Sequence, residues 1–141
     1  WALSNIMGDG PYARMFLLSS NILSVLPSVL AGHFHNVSVM KQFSWMLINL
    51  CRKKEADVPI EFVGQIVPLL TALLEIKDES VICDVLWAVT HLADSSQAHI
   101  NYLVNGGIVG RILPLLNASP KLAVSIFFID LSYVHFVLLV M

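Results

Sequence analysis

The chain has 141 residues, 57% of them hydrophobic and 13% charged, with a formal charge of −2. Soluble domains average about 25% charged residues, and neither the small net charge nor any basic run suits nucleic acid or long-range steering. No phosphate-binding loop, G-x-S-x-G elbow or H-E-x-x-H helix is present, and Ser and His follow no catalytic spacing, so an enzyme is not expected and no cofactor is implied.

The chain opens without Met and inside a helical pattern at 1–7, which reads as the tail of a helix in a fragment. Gly8-Asp9-Gly10-Pro11 is expected to stop that helix, because Gly suits a left-handed cap and Pro forbids continuation. A short helix is expected at 12–20, then a second at 22–30 with Asn21 as cap and Pro27 tolerated or kinking it. A loop at 31–36 leads into a long helix at 37–53. The pattern then returns: a polar break at 55–59, at most a short helix at 60–64, a Pro68-bearing helix at 65–76, a turn, and a long helix at 81–93. A third round has a short helix at 97–104, a break at Asn105-Gly106-Gly107, and a Pro114-bearing helix at 108–116.

The long helix at 37–53 carries the chain's most informative pattern. Phe43, Met46, Leu47 and Leu50 can face a core, while Trp45 and Asn49, four apart, share another face. An Asn in a core needs partners for its donors and acceptor, and a Trp for its N–H. On an open face the same pair offers an apolar wall beside one donor and one acceptor, which is what an extended peptide backbone requires. Trp1 and Asn5 repeat the spacing, and Trp87 and His91 repeat it with His in the Asn place. Trp1, Trp45 and Trp87 are 44 and 42 residues apart. A helical period near 40 is the mark of an armadillo or HEAT-type solenoid, in which no unit buries its faces alone. The expectation is an all-α, right-handed superhelical armadillo solenoid of about three repeats, with a partial first repeat and boundaries near 11–54, 55–96 and 97–119. Cys51 and Cys83, each in an apolar helix, are expected to be buried thiols.

The tail departs from the pattern. The stretch 121–141 carries no Trp, and its 20 residues from 122 are long enough to span a bilayer, with Asp130 near the middle. A degenerate repeat helix is preferred over a membrane span, and a gene-model artefact also stays open.

The motifs WALSNIMGDG, FSWMLINLCRKK and DVLWAVTHLAD resemble the armadillo repeats of the importin-alpha (karyopherin-alpha) family of nuclear-import adaptors, from Trp1 to about residue 119. The resemblance implies a protein of cytoplasm and nucleus that binds nuclear localisation signals, which are Lys/Arg-rich peptides lying extended in a concave groove. Family Trp indoles pack along Lys or Arg stems, family Asn amides bond the peptide backbone, and acids receive the ammonium groups. By motif, Trp1/Asn5 and Trp45/Asn49 match groove pairs and Trp87 a third groove Trp. Asp9 matches the acid that holds the most critical lysine, and Asp84 another groove acid. Arg52 matches a groove Arg toward the less basic part of the peptide. His91 stands where the family has Tyr, Ile6-Met7 replaces a small residue, and Phe43, Met46 and Ile48 make the central helix more apolar. The rung expected after Pro120 is missing, which puts the minor peptide site out of reach, and importin-beta would be engaged only through a segment not in this chain.

Blander readings stand beside these. Asp9 can be a turn residue, Asp84 a solvated helix position, and Arg52 a charge suited to the helix C-terminus. Neither His33/His35 as a metal pair nor His91 as a pH switch has support in spacing alone. The alternatives to a signal-peptide adaptor are a generic armadillo scaffold that has lost the peptide site and a membrane-tethered helical protein.

Overall fold

The computed structural model describes residues 1–53 and 55–117, with Pro120 and Leu122. The elements among the described residues are all helical. They are α1 (Ala2–Asp9), α2 (Pro11–Ser19), a 3-10 turn (Ile22–Ser24), α3 (Leu26–His33), α4 (Val37–Cys51), α5 (Ile60–Leu73), α6 (Glu79–Ala93), α7 (Gln97–Asn105), α8 (Ile108–Ile112) and a second 3-10 turn (Leu113–Asn117). The apolar stretch 123–141, and with it the choice between repeat helix, span and artefact, lies outside the described residues.

Local chemistry explains most boundaries. Helix α1 runs through Gly8 and ends at Gly10, whose extended backbone hands over to Pro11 at the start of α2; Pro there forfeits only a donor that the first turn would leave unpaired. Asn36 caps α4 by accepting from Val39 N at 3.2 Å. Asp78 caps α6 by accepting from Ser80 N at 3.0 Å and Val81 N at 3.2 Å. Gly107, at φ 71, makes the left-handed step between α7 and α8.

Four expectations need correction. Asn21 does not cap the following helix; it adopts the left-handed conformation at φ 59 and makes no side-chain cap bond, so the chain enters α3 through a 3-10 turn. Residues 31–33 are helical rather than loop, because α3 continues to His33. The expected break between 64 and 65 is absent: α5 is one helix from Ile60, with Pro68 inside it. A continuous buried face of Val63, Ile66, Val67, Leu70 and Leu73 outweighs the two breakers, Gly64 and Pro68. Finally, 108–116 is a short α-helix followed by a 3-10 turn around Pro114 rather than one α-helix.

The helices that carry the three Trp residues form one layer. The most extensive contacts in the fold are α4 with α6 and α1 with α4. Cross-links show that α4 and α6 run parallel along their whole length. Lys41 Nζ lies 3.1 Å from Asp78 Oδ2 at the start, Ser44 Oγ donates to Asp84 Oδ2 at 2.6 Å, and Lys53 Nζ donates to the Asp94 carbonyl at 3.2 Å at the end. Behind this layer, α3 and α5 pack against α4, and α7 packs against α5 and α6. The core is continuous through Met40, Leu47, Leu50, Ile66, Leu70 and Leu86, all buried. Phe43 and Met46 are buried with them, which bears out the inward face read for the central helix. Cys51 and Cys83 are buried thiols outside any disulfide, and burial pushes the Cys51 thiol up to about 12 against the smaller pull of Arg14.

Asp78 both caps α6 and ties it to α4, so it is a point where acid should act. The Ser80 hydroxyl, then Lys41 and the Val81 amide, hold its carboxyl at about 2, below the usual 3.8, against a partial desolvation that raises it. A carboxylate depressed by folding stabilises above its unfolded pKa and loses that contribution as pH falls through the folded value. Stability should therefore drop between about pH 4 and pH 2. Asp78→Ala should cost about 1–2 kcal/mol at neutral pH and flatten that segment of the profile in thermal melts. An unchanged acid limb in the variant would assign the loss to other carboxylates.

Candidate peptide-binding face

The three i, i+4 pairs lie on, or at the start of, the three helices of the Trp layer. Trp1 sits at the N-cap of α1 and is 76% exposed, and Trp87 on α6 is 39% exposed. Trp45 on α4 is half-buried between them in the layer. Asn5 and Asp9 on α1 are exposed, and Arg52 follows the end of α4, also exposed. Asn49, Asp84 and His91 are half-buried.

Two of the polar side chains expected to meet a peptide are also used inside the layer. Asn49 Nδ2 donates to the Ser4 carbonyl of α1 at 2.9 Å. Its amide lies so close to Gly8 that a Cβ there would come within 3.2 Å of Asn49 Cγ, so Gly8 is what lets α4 and α1 approach here. Asn49 keeps its second N–H and its Oδ1, still one donor and one acceptor. Asp84 receives the Ser44 hydroxyl across the α4–α6 seam, and a carboxylate has acceptor capacity well beyond one such bond.

The third pair is different in kind. The Trp87 and His91 ring centroids are 6.4 Å apart with planes tilted by 38°, so the imidazole rests against the indole. Burial pushes the His91 pKa below its usual 6.5, the positive charge of Arg52 pushes it further, and Asp94 opposes both. Arg52 is itself held in place: buried Arg14 of α2 donates Nη1 to the Arg52 carbonyl at 2.7 Å and Nη2 to the Ala56 carbonyl. This clamp ties α2 to the link between α4 and α5. His99 of α7 reaches the same link between α4 and α5, with Nε2 at 2.7 Å from the Val58 carbonyl and Nδ1 at 2.8 Å from Ser96 Oγ.

Arg14, Ser44 and Gly8 are functional to this layer without being marked by motif. A lone Arg among apolar residues of α2 is a usable signal for the first; nothing local marks the other two. Among the described residues no three His, Cys, Asp or Glu side chains gather as a metal set, and no single helix is long and apolar enough to cross a membrane. A cavity of about 850 Å³ lies away from the Trp layer, between α5, α7 and Arg111, and none of the candidate residues lines it.

Comparison with known proteins places this architecture. Residues 59–94 match the Armadillo/beta-catenin-like repeat. The chain is 34% identical over 116 residues to importin subunit alpha-2 of Arabidopsis thaliana, covering 82% of this chain and 21% of that protein. It is 34% identical to importin subunit alpha-3 of Caenorhabditis elegans over 77% of this chain and 21% of that one. The chain thus spans about a fifth of the length of the curated relatives it matches. Among solved structures, a designed armadillo repeat protein in complex with the peptide (KR)4 superposes with a TM-score of 0.75 at 22% identity, over 93% of this chain and 54% of that one. The chain has the fold of the armadillo-repeat proteins, and the relatives it resembles over most of its own length are importin alpha subunits.

Proposed function

We propose that the face built by α1, α4 and α6 binds Lys/Arg-rich peptides of the nuclear localisation type, as the non-catalytic recognition segment of an import adaptor working between cytoplasm and nucleus. The observation that carries this reading is the placement of three Trp/polar pairs on three helices that stack in one layer. A Lys or Arg stem laid over an indole gains apolar contact and a cation–π term of about 0.5–2 kcal/mol. Asn5 and Asn49 offer amides to the backbone of the peptide, and Asp9 and Asp84 supply negative charge. The names of the relatives support the same reading.

The test is titration of a fluorescently labelled Lys-rich peptide into the 141-residue chain at two salt concentrations. Saturable binding that weakens with salt is expected, because exposed charge pairs are screened. Trp45→Ala should weaken it by roughly 5- to 30-fold, the loss of one indole wall, and Asp9→Lys should weaken it and reverse the contribution of that charge. A folded chain that binds as well with Trp45→Ala would instead favour a generic armadillo scaffold. Asn49's bond to Ser4 is the observation on that side, since it gives the residue a structural reason to be there.

A further inference from the structure

The third rung differs from the other two in carrying a titratable group, and its geometry bears on how the peptide site proposed above would be regulated. We propose that His91 makes this rung proton-sensitive, admitting a basic peptide residue when the imidazole is neutral and rejecting it when the imidazole is charged. The inference rests on the peptide-binding reading.

Three features of the rung combine. A neutral imidazole has one N–H donor and one acceptor nitrogen, the same pair that the Asn amides of the other rungs present. Protonation converts the acceptor into a second donor and adds a positive charge. That charge would arise on a ring lying 6.4 Å from the Trp87 indole, on the wall where a Lys or Arg stem would pack. It would also join Arg52, whose charge already acts on His91 from the end of α4. A basic peptide residue would then meet two cations rather than one.

The surrounding charges do not cancel this. Asp94, at the end of the same helix, opposes Arg52, while its carbonyl is taken by Lys53 Nζ. Asp84, one turn before Trp87, accepts from Ser44. On α4, Lys41 is paired with Asp78 at 3.1 Å. The titratable groups of the other elements packed on α6 are Glu61 of α5 and His99 and Tyr102 of α7. None of them is among the charges acting on His91, and His99 is turned to the Val58 carbonyl. Burial and Arg52 both favour the neutral ring, so the rung is ready for a basic residue at neutral pH and closes as the pH falls below histidine's ordinary 6.5.

The experiment measures the affinity of the whole chain for a His-free, Lys-rich labelled peptide from pH 8 to pH 5.5. The readout is the ratio of Kd at the two ends, which is independent of absolute affinity. Wild type should weaken about three- to tenfold as pH falls, the span that one coupled proton allows over this range. His91→Asn, and His91→Gln as a second replacement, should bring the ratio close to one. Tight binding with no pH dependence in wild type, or the same ratio in both variants, overturns the inference while leaving the peptide reading intact. A helical chain that binds no peptide even at pH 8 overturns the peptide reading and this inference with it.

Discussion

Arg14→Leu is expected to lower the unfolding free energy by about 2–4 kcal/mol, seen as a shift of the urea midpoint at an unchanged slope. The side chain is 2% exposed, and its two Nη groups hold the carbonyls of Arg52 and Ala56, residues 38 and 42 positions away. Hydrogen bonds from a charged donor contribute about 1.5–3 kcal/mol each. Two considerations keep the total below their sum. Arg52 and Ala56 are exposed, so their carbonyls regain water in the variant. Nε of Arg14 is buried without a hydrogen-bond partner, so the native state already bears a desolvation penalty. Arg14→Lys should recover at most about half the loss, because one ammonium cannot span two carbonyls as a planar fork does. A shift worth less than about 0.5 kcal/mol for Arg14→Leu would mean that the 52–57 segment is held by other contacts.

Leu47→Ala is expected to cost about 2–5 kcal/mol, the range for truncating a fully buried Leu. Leu47 is 0% exposed on α4, which packs on both α1 and α6, so little is free to collapse into the space left behind. It is two residues from Trp45, and helical geometry turns such neighbours to nearly opposite faces. The pair therefore separates stability from recognition. Leu47→Ala should lower the denaturation midpoint and leave the peptide affinity of the folded fraction nearly unchanged, whereas Trp45→Ala should do the reverse. If Leu47→Ala weakened binding more than its unfolded fraction explains, the face would depend on the packing beneath it.

What is legible in the sequence follows from the range of each interaction. The periodicity of Phe43, Met46, Leu47 and Leu50 orients α4 correctly, because a helix repeats its environment every three to four residues. The recurrence of Trp near every 42 residues exposes the stacking, because a solenoid repeats its environment once per unit. Gly64 misleads because it is a local breaker set against six buried neighbours along α5. The roles of Arg14, Ser44 and Gly8 are hidden for the opposite reason. Their partners lie 38 to 42 residues away in backbone carbonyls, a carboxylate and an amide that no local pattern announces. Asn49 shows both sides: its spacing marks it for an open face, but its bond to Ser4 cannot be read from α4 alone.

The parallel register of α4 and α6 also works as a ruler. Helices packed side by side lie about 8–10 Å apart, and an extended chain advances about 3.3 Å per residue. A strand laid across the layer, at right angles to the helices, would therefore pass from one Trp to the next in two to three residues. Because side chains of an extended chain alternate sides, successive rungs would not meet every residue. The layer would sample a sequence at intervals, and the residues falling between rungs would be free to vary, so peptides that bind it should share a rhythm of basic residues more closely than a composition.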